Sequence, residues 1–355
     1  MKQLKTFAYV IAAAVAVGCS SVDDSKNTTP GYKDVLTALS VDVITETYKD
    51  LNQKAIALKN SVDAFIANSS DANLQAMRKA WVDTRKPWEQ SEGFLYGPVD
   101  TEGLDPALDT WPVDVNAMND IINSNQNITA ALIAANNEAR GFHLIEFLIW
   151  GENGNKQANE ITARQKEYLL AAAVDLQLNT QKLYDGWKAS GGNFAQHFIT
   201  AGVGSVLYPS QKAALEEIVE GLVTIADEVG AGKIEDPLNS EGGVPKPELE
   251  ESRFSNNSKA DFADNMRSIQ NIYLGKYGQK DVLGLEHLLI VTNPTLDTKI
   301  KTAINEAIAA IEAIPGTFTQ AISNNRPAVI QAQEKVTELQ EILESELKPF
   351  INSLP

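Results

Sequence analysis

The chain has 355 residues, with 47 acidic against 30 basic side chains, three histidines and one cysteine. A formal charge of −17 argues against nucleic acid as a partner, because binding a phosphate backbone relies on a basic surface. With 43% apolar and 22% charged residues the chain has material for a packed core, and its lone cysteine excludes an internal disulfide, a Cys-rich zinc site and an iron–sulfur cluster, so any metal chemistry must use His, Asp and Glu.

The first element is a leader. Lys2 and Lys5 precede an apolar stretch from Phe7 to Val17, too short to span a bilayer as a mature helix but right for the hydrophobic region of a signal peptide. It ends Ala16-Val17-Gly18-Cys19, which resembles a bacterial lipobox, with Ala16 where leucine is usual. The sequence therefore predicts a signal peptide over 1–18, an acylated Cys19 and a polar tether over 19–31, anchoring the protein to the outer membrane on its periplasmic or surface face. Asp23-Asp24 resembles the acidic surface-export signals of some lipoproteins.

Past the tether the pattern is helical. Ile44, Tyr48, Leu51, Ala55, Leu58, Val62 and Phe65 recur at alternating four- and three-residue steps, one apolar seam on a long helix. Leu215, Ile218, Val219, Leu222, Ala226 and Val229 repeat the pattern. So do Ile300, Ile304, Ala307, Ile311 and Ile314, and later Val329, Val336, Leu339, Leu343 and Leu347. Thr162 with Gln165 makes a capping box, Asp71 can cap the helix after it, and Pro294 and Pro327 sit where helices begin. No run alternates like a β-strand. The expectation is an all-α protein of two helical-bundle domains, 32–200 and 201–355, with the boundary near Asn193 to Pro209 and a long acidic loop over 235–258. Gly141-Phe142-His143-Leu144-Ile145-Glu146 has a faint echo in Gly284-Leu285-Glu286-His287, which predicts an internal duplication with the chemistry in the first copy.

Candidate functional residues concentrate in the first unit. Phe142, Leu144, Ile145, Phe147, Leu148, Ile149 and Trp150 make a helix that is apolar all round, yet it carries His143 and Glu146. Burying either group without a partner costs roughly 2–7 kcal/mol. Their i, i+3 spacing lets both face one object, either a metal ion or, through a His–Glu hydrogen bond, a neighbouring helix. Gly141, unfavourable inside a helix, predicts close approach of another backbone or a ligand. Trp81, Arg85, Glu89 and Glu92 share a face of an earlier helix with Trp88 beside them; the alternatives are further metal ligands or an Arg85–Glu89 salt bridge on a half-exposed helix. Asp109 and Trp111 follow in the next loop. His143, Glu146, Glu89, Glu92 and Asp109 would make an oxygen-rich, one-nitrogen site suited to iron or another divalent ion. Arg85 would orient a carboxylate or bind an anionic ligand, and Trp81, Trp88 and Trp111 would wall the site.

Two zinc-peptidase motifs require a second histidine on the same helix, and His143-Leu144-Ile145-Glu146-Phe147 lacks it. Gly141-x-His143-x-x-Glu146 instead resembles the signature of the imelysin family, lipoprotein and periplasmic proteins classed as M75 peptidases. Ala80-Trp81 through Arg85 to Glu92 and Phe94, Asp109-Thr110-Trp111-Pro112, Glu251-Ser252-Arg253-Phe254-Ser255 and Asn271-Ile272-Tyr273-Leu274-Gly275 resemble family segments in family order. The resemblance implies a two-domain helical protein with its signature near the domain interface, associated with bacterial iron uptake. It makes a metal ion or small iron ligand and iron-transport components the expected partners, to which the acylated Cys19 adds the membrane. Two alternatives share these residues: a metal-dependent peptidase with Glu146 as general base, and a non-metal adhesion or peptide-binding lipoprotein whose Ser252, Ser255 and acidic loop form a polar cleft.

Overall fold

The computed structural model describes residues 31–355, so the leader, Cys19 and the tether before Gly31 lie outside the described residues. Eight helices carry the architecture: α1 (Thr45–Ala67), α2 (Asp71–Glu89), α3 (Gly141–Trp150), α4 (Ala163–Trp187), α5 (Gln211–Asp227), α6 (Ser258–Leu274), α7 (Pro294–Glu312) and α8 (Arg326–Ile342). The fold is all-α, as the periodicity predicts. A hairpin of two-residue strands, β1 (Lys276–Tyr277) and β2 (Lys280–Asp281), is the one sheet among the described residues.

Each seam is buried. On α1, Tyr48, Leu51, Ala55, Leu58, Val62 and Phe65 are fully covered by α2 on one side and α4 on the other, and burying each large side chain contributes about 1.5–3 kcal/mol. α3 packs across α4 and α2. In the C-terminal half α7 lies between α6 and α8, and α5 closes the bundle against α6 and α8. Helix ends follow local chemistry: Thr162 and Gln165 form the reciprocal capping box, and Pro294 opens α7. At α2 the cap is Ser70, whose hydroxyl accepts from Asn73 N–H. Asp71 is instead the first helical residue, and its carboxylate accepts from Ala158 N–H at 3.0 Å, tying α2 to the loop after α3.

The two halves meet where α2 packs on α6 and where the turn Glu92–Phe94 seats on α5. A Cβ on Gly221 would stand 2.4 Å from the Gly93 carbonyl oxygen, so the contact requires glycine. The helical turn Tyr32–Ala38 runs through a π-helical stretch, Leu39–Ile44, into α1, and packs on Ala195–Ile199 and on α5. A second π-helical stretch, Glu228–Ile234, extends α5. A π turn holds one extra residue and shifts the helical phase, and this one points Lys233 into the junction. No helix among the described residues is long and apolar enough to cross a membrane.

Candidate functional site

α3 starts where Arg140 is extended and Gly141 sits at φ +81°, with a Cβ position 2.4 Å from the Leu108 carbonyl oxygen. The close approach expected at Gly141 is thus the backbone of Leu108, and it brings the next residue, Asp109, to His143. His143 and Glu146 are wholly buried. They face each other: His143 Nδ1 lies 3.0 Å from Glu146 Oε2. Glu146 Oε1 accepts from both the backbone N–H and the hydroxyl of Ser255, each at 2.7 Å. Glu146 therefore bridges the imidazole to the segment before α6.

The other ring nitrogen has a different environment. His143 Nε2 lies 3.0 Å from Asp109 Oδ1 and 3.5 Å from Glu251 Oε1, close enough to pair with both carboxylates when protonated, but it is not aligned for a hydrogen bond to either. Ligand atoms of Asp109, His143 and Glu251 lie within 4.8 Å of one another, a spacing that could hold a metal ion. Glu89, Glu92 and Asp109 form a second such group, and Glu89, Glu251 and Asp261 a third.

Two cations lace these acids together. Arg85, fully buried on α2, donates to Glu89 and Asp109 and, through Nη2, to Glu251 Oε1 at 2.7 Å and Asp261 Oδ2 at 3.3 Å. Its guanidinium lies 5.0 Å from the Phe142 ring centroid and 5.8 Å from that of Trp81, whose Nε1 donates to the Phe142 carbonyl. The expected Arg85–Glu89 salt bridge is present, but in the interior rather than on a half-exposed helix. Lys233 reaches Glu92 Oε2 at 2.8 Å and Glu251 Oε2 at 3.0 Å. Asn265 Nδ2 donates to Glu89 Oε2 at 2.6 Å and Glu92 Oε2 at 2.9 Å. Trp88 Nε1 donates to Asp109 Oδ2 at 2.5 Å, and the Trp111 ring meets His143 edge-on with centroids 5.0 Å apart.

Charge separates these groups. Burial alone would raise Asp109, but Arg85 and His143 hold it at about 2. Glu251 likewise sits well below the usual range, its burial outweighed by Lys233, His143 and Arg85. Glu89 and Glu92 go the other way: burial keeps both well above the carboxylate range despite Arg85 beside the first and Lys233 beside the second. Asp261 is raised by burial to about 6, and its Oδ2 also accepts from Ser252 Oγ at 2.5 Å. Burial disfavours a charged His143, but Asp109, Glu146 and Glu251 raise it well above the usual imidazole value.

The structure thus brings together His143, Glu146, Glu89, Glu92, Asp109, Arg85, Trp81, Trp88, Trp111, Ser252 and Ser255. It adds three residues that the sequence pattern did not single out: Glu251, Asp261 and Lys233. Ser252 and Asn256 adopt left-handed φ values of +53° and +58°, a reversal that turns Glu251 and Ser255 inward. The later Glu286–His287 pair lies on the short helix Glu286–Leu289, where Glu286 pairs with Lys301 and His287 Nδ1 accepts from Gly284 N–H. A pocket of about 280 Å³ leads to the cluster, lined by Asp105, Asp109, Trp111, Glu228, Lys233 and Glu251 among others.

Comparison with known proteins matches the family model for imelysin (peptidase M75) to residues 44–345. The chain is 28% identical over 349 residues to iron-regulated protein A of Synechococcus elongatus, covering 95% of this chain and 93% of that one. Among solved structures, a candidate iron-regulated protein A precursor from Parabacteroides distasonis superposes with a TM-score of 0.79 at 28% identity, over 90% of this chain and 95% of the other. An imelysin-like protein from Psychrobacter arcticum shares the fold, with a TM-score of 0.75 at 18% identity and the same coverage of both chains.

Proposed function

The chain belongs to the imelysin family, and from that premise we propose that it is a metal-binding protein for bacterial iron acquisition, lipid-anchored through Cys19, with its ion site at the junction of the two helical halves. The ion would be held by His143 Nε2, Asp109 and Glu251. One observation carries this reading: a fully buried imidazole nitrogen without a hydrogen-bond partner faces carboxylate oxygens from both halves. A cation bound there would take the place of the imidazole proton and satisfy nitrogen and oxygens together. The surroundings agree. Carboxyl groups of Glu89, Glu92, Asp109, Glu146, Glu251 and Asp261 crowd around Arg85 and Lys233, and burial keeps Glu89 and Glu92 above the carboxylate range, so a bound cation could take the place of protons held in the cluster. One nitrogen with several carboxylate oxygens suits iron or manganese better than a soft-ligand metal. The iron-regulated relatives make iron the first cargo to test.

In this reading Glu146 orients the imidazole instead of ligating the metal. Its two oxygens are taken by His143 and Ser255, an outer-sphere arrangement that fixes the ring tautomer with Nε2 free for a metal. The same ties leave Glu146 poorly placed to act as the general base of a peptidase.

Crystals soaked in ferrous and zinc salts, with anomalous data at both edges, test site and metal together. Density beside His143 Nε2, Asp109 and Glu251 is expected. In calorimetry, His143→Ala, Asp109→Asn and Glu251→Gln should each lower affinity at least tenfold; unchanged affinity in all three would overturn the proposal.

A further inference from the structure

We propose that the loop Val203 to Leu207 is a second contact with the phospholipid surface that carries the Cys19 anchor, so that the protein stands on the membrane with its metal pocket turned away from the lipid. The inference rests on the lipid-anchored reading given above. Val206 and Val203 are the most exposed large aliphatics among the described residues, at 86% and 79%, and Leu207 beside them is 50% exposed. Adjacent apolar side chains held in water mark a partner or a membrane contact.

The loop is built to present them. The backbone N–H groups of Val203, Gly204 and Ser205 all donate to the Thr200 carbonyl at 3.0 Å, and Gly202 N–H donates to the Tyr208 carbonyl at 3.1 Å. Ser205 Oγ accepts from Leu207 N–H and Tyr208 N–H. Tyr208 and Phe198 pack with centroids 4.7 Å apart and root the loop in the core. Backbone donors satisfied within the loop lower the cost of leaving water, which a membrane contact requires.

Charge and chain path select lipid over other occupants. Residues 189–211 contain no Asp, Glu, Lys or Arg, in a chain with 47 acids and 30 bases. Glu217, which accepts from the Tyr208 hydroxyl, is an acid at the base of this loop, and a segment without acids of its own on so anionic a protein is a part of its surface that anionic headgroups repel little. The chain outside the described residues joins at Gly31, and the turn after it, Tyr32–Ala38, packs on Ala195–Ile199, the helix that leads into the loop. Eleven residues separate Cys19 from Gly31, a reach of at most about 40 Å, so anchor and loop can meet one surface. α5 starts just after the loop, at Gln211, and its extension carries Glu228 and Lys233 to the pocket. At 1.5 Å per residue the pocket lies about 30 Å along that helix from the loop.

The test uses the acylated full-length protein in phosphatidylethanolamine–phosphatidylglycerol vesicles. Because the Cys19 thiol carries the lipid, Val206→Cys and, separately, Ile330→Cys each supply one free thiol for a polarity-sensitive fluorophore. Ile330 is the distal control: it is partly exposed on α8, where Arg326 and Gln333 bond the Leu238 and Gly230 carbonyls near the pocket end of α5. The expected result is a blue shift at 206 and loss of most of its emission to doxyl-labelled lipid, with neither at 330. Sedimentation with vesicles but no quenching at 206 would overturn the loop contact while leaving the anchor intact. Failure of the protein to sediment with vesicles would remove the anchored reading and this inference with it. A blue shift without vesicles, accompanied by a doubled mass in solution, would assign the loop to a second copy and overturn the lipid contact.

Discussion

Ser255 holds Glu146 by two bonds from a single residue, backbone N–H and side-chain hydroxyl converging on one carboxylate oxygen at 2.7 Å. The other oxygen meets His143 Nδ1, so the tautomer of an imidazole on α3 is governed from the segment that leads into α6. Glu146→Gln tests that chain directly. The amide can keep its carbonyl toward Ser255, but its NH₂ then faces Nδ1, which must become the acceptor, leaving the proton on Nε2. We expect a 10–100-fold loss of metal affinity by calorimetry, with a melting temperature close to wild type. Unchanged affinity would remove Glu146 from the role given to it.

Arg85 is the second test. It is fully buried and bonds Glu89, Asp109, Glu251 and Asp261. Removing one member of a buried charge network strands the rest, at about 3–5 kcal/mol. Arg85→Met should lower the urea midpoint accordingly. Arg85→Lys should fall between, since an ammonium cannot present the same fork. A midpoint within error of wild type for Arg85→Met would show that the acids are neutralised by other means.

Stability without metal should fall as pH rises from 5 to 8. Burial raises Asp105 and Asp261 to about 6 and Glu250 to about 7. A carboxyl whose folded value exceeds its unfolded one keeps its proton after the unfolded chain has lost it, so across roughly pH 4–7 the folded state binds more protons and stability declines with pH. His143, raised by its carboxylate neighbours, acts in the same direction: its contribution is complete below the unfolded imidazole value and is lost above the folded one. Asp109, held at about 2, opposes them only where acid titrates it, between its unfolded value and pH 2. Melting curves in chelator should therefore peak near pH 5 and drop by a few degrees by pH 8, at about 1.5–2 °C per kcal/mol for a chain of this length. A divalent ion at pH 8 should restore the loss by replacing the protons. A rise in stability from pH 5 to 8 would contradict this charge assignment.

Gly141→Ala should damage fold and site together. A Cβ there would stand 2.4 Å from the Leu108 carbonyl oxygen on a backbone at φ +81°. Strain and displacement should cost about 2–4 kcal/mol. Because Leu108 precedes Asp109, metal affinity should fall as well, whereas Gly232→Ala, whose Cβ position has nothing within 4 Å, should change neither property.

The helices were legible because core burial repeats with the helical period: every residue of the α1 seam from Tyr48 to Phe65 is buried. His143 and Glu146 stood out as polar residues in an apolar helix, and Arg85 as a charge between tryptophans. Glu251, Asp261 and Lys233 carry no such mark. Glu251 lies in an irregular segment, where burial leaves no period to read, and Lys233 is aimed by a π-helical phase shift that a 3.6-residue pattern does not anticipate. Nor does the i, i+3 spacing of His143 and Glu146 tell whether the two share an ion or a proton.

Asp109 and His143 belong to one helical half and Glu251 to the other, which gives a bound ion the character of a cross-link. Leaving through the pocket beside Asp109 and Glu251, it would still have to break bonds from both sides of the junction between α2 and α6, which Arg85 and Lys233 also hold. Residence time would then depend on the breathing of that junction as well as on the strength of three coordination bonds. A weak-field, oxygen-rich site could in this way retain its cargo for long periods and release it promptly to whatever pries the halves apart.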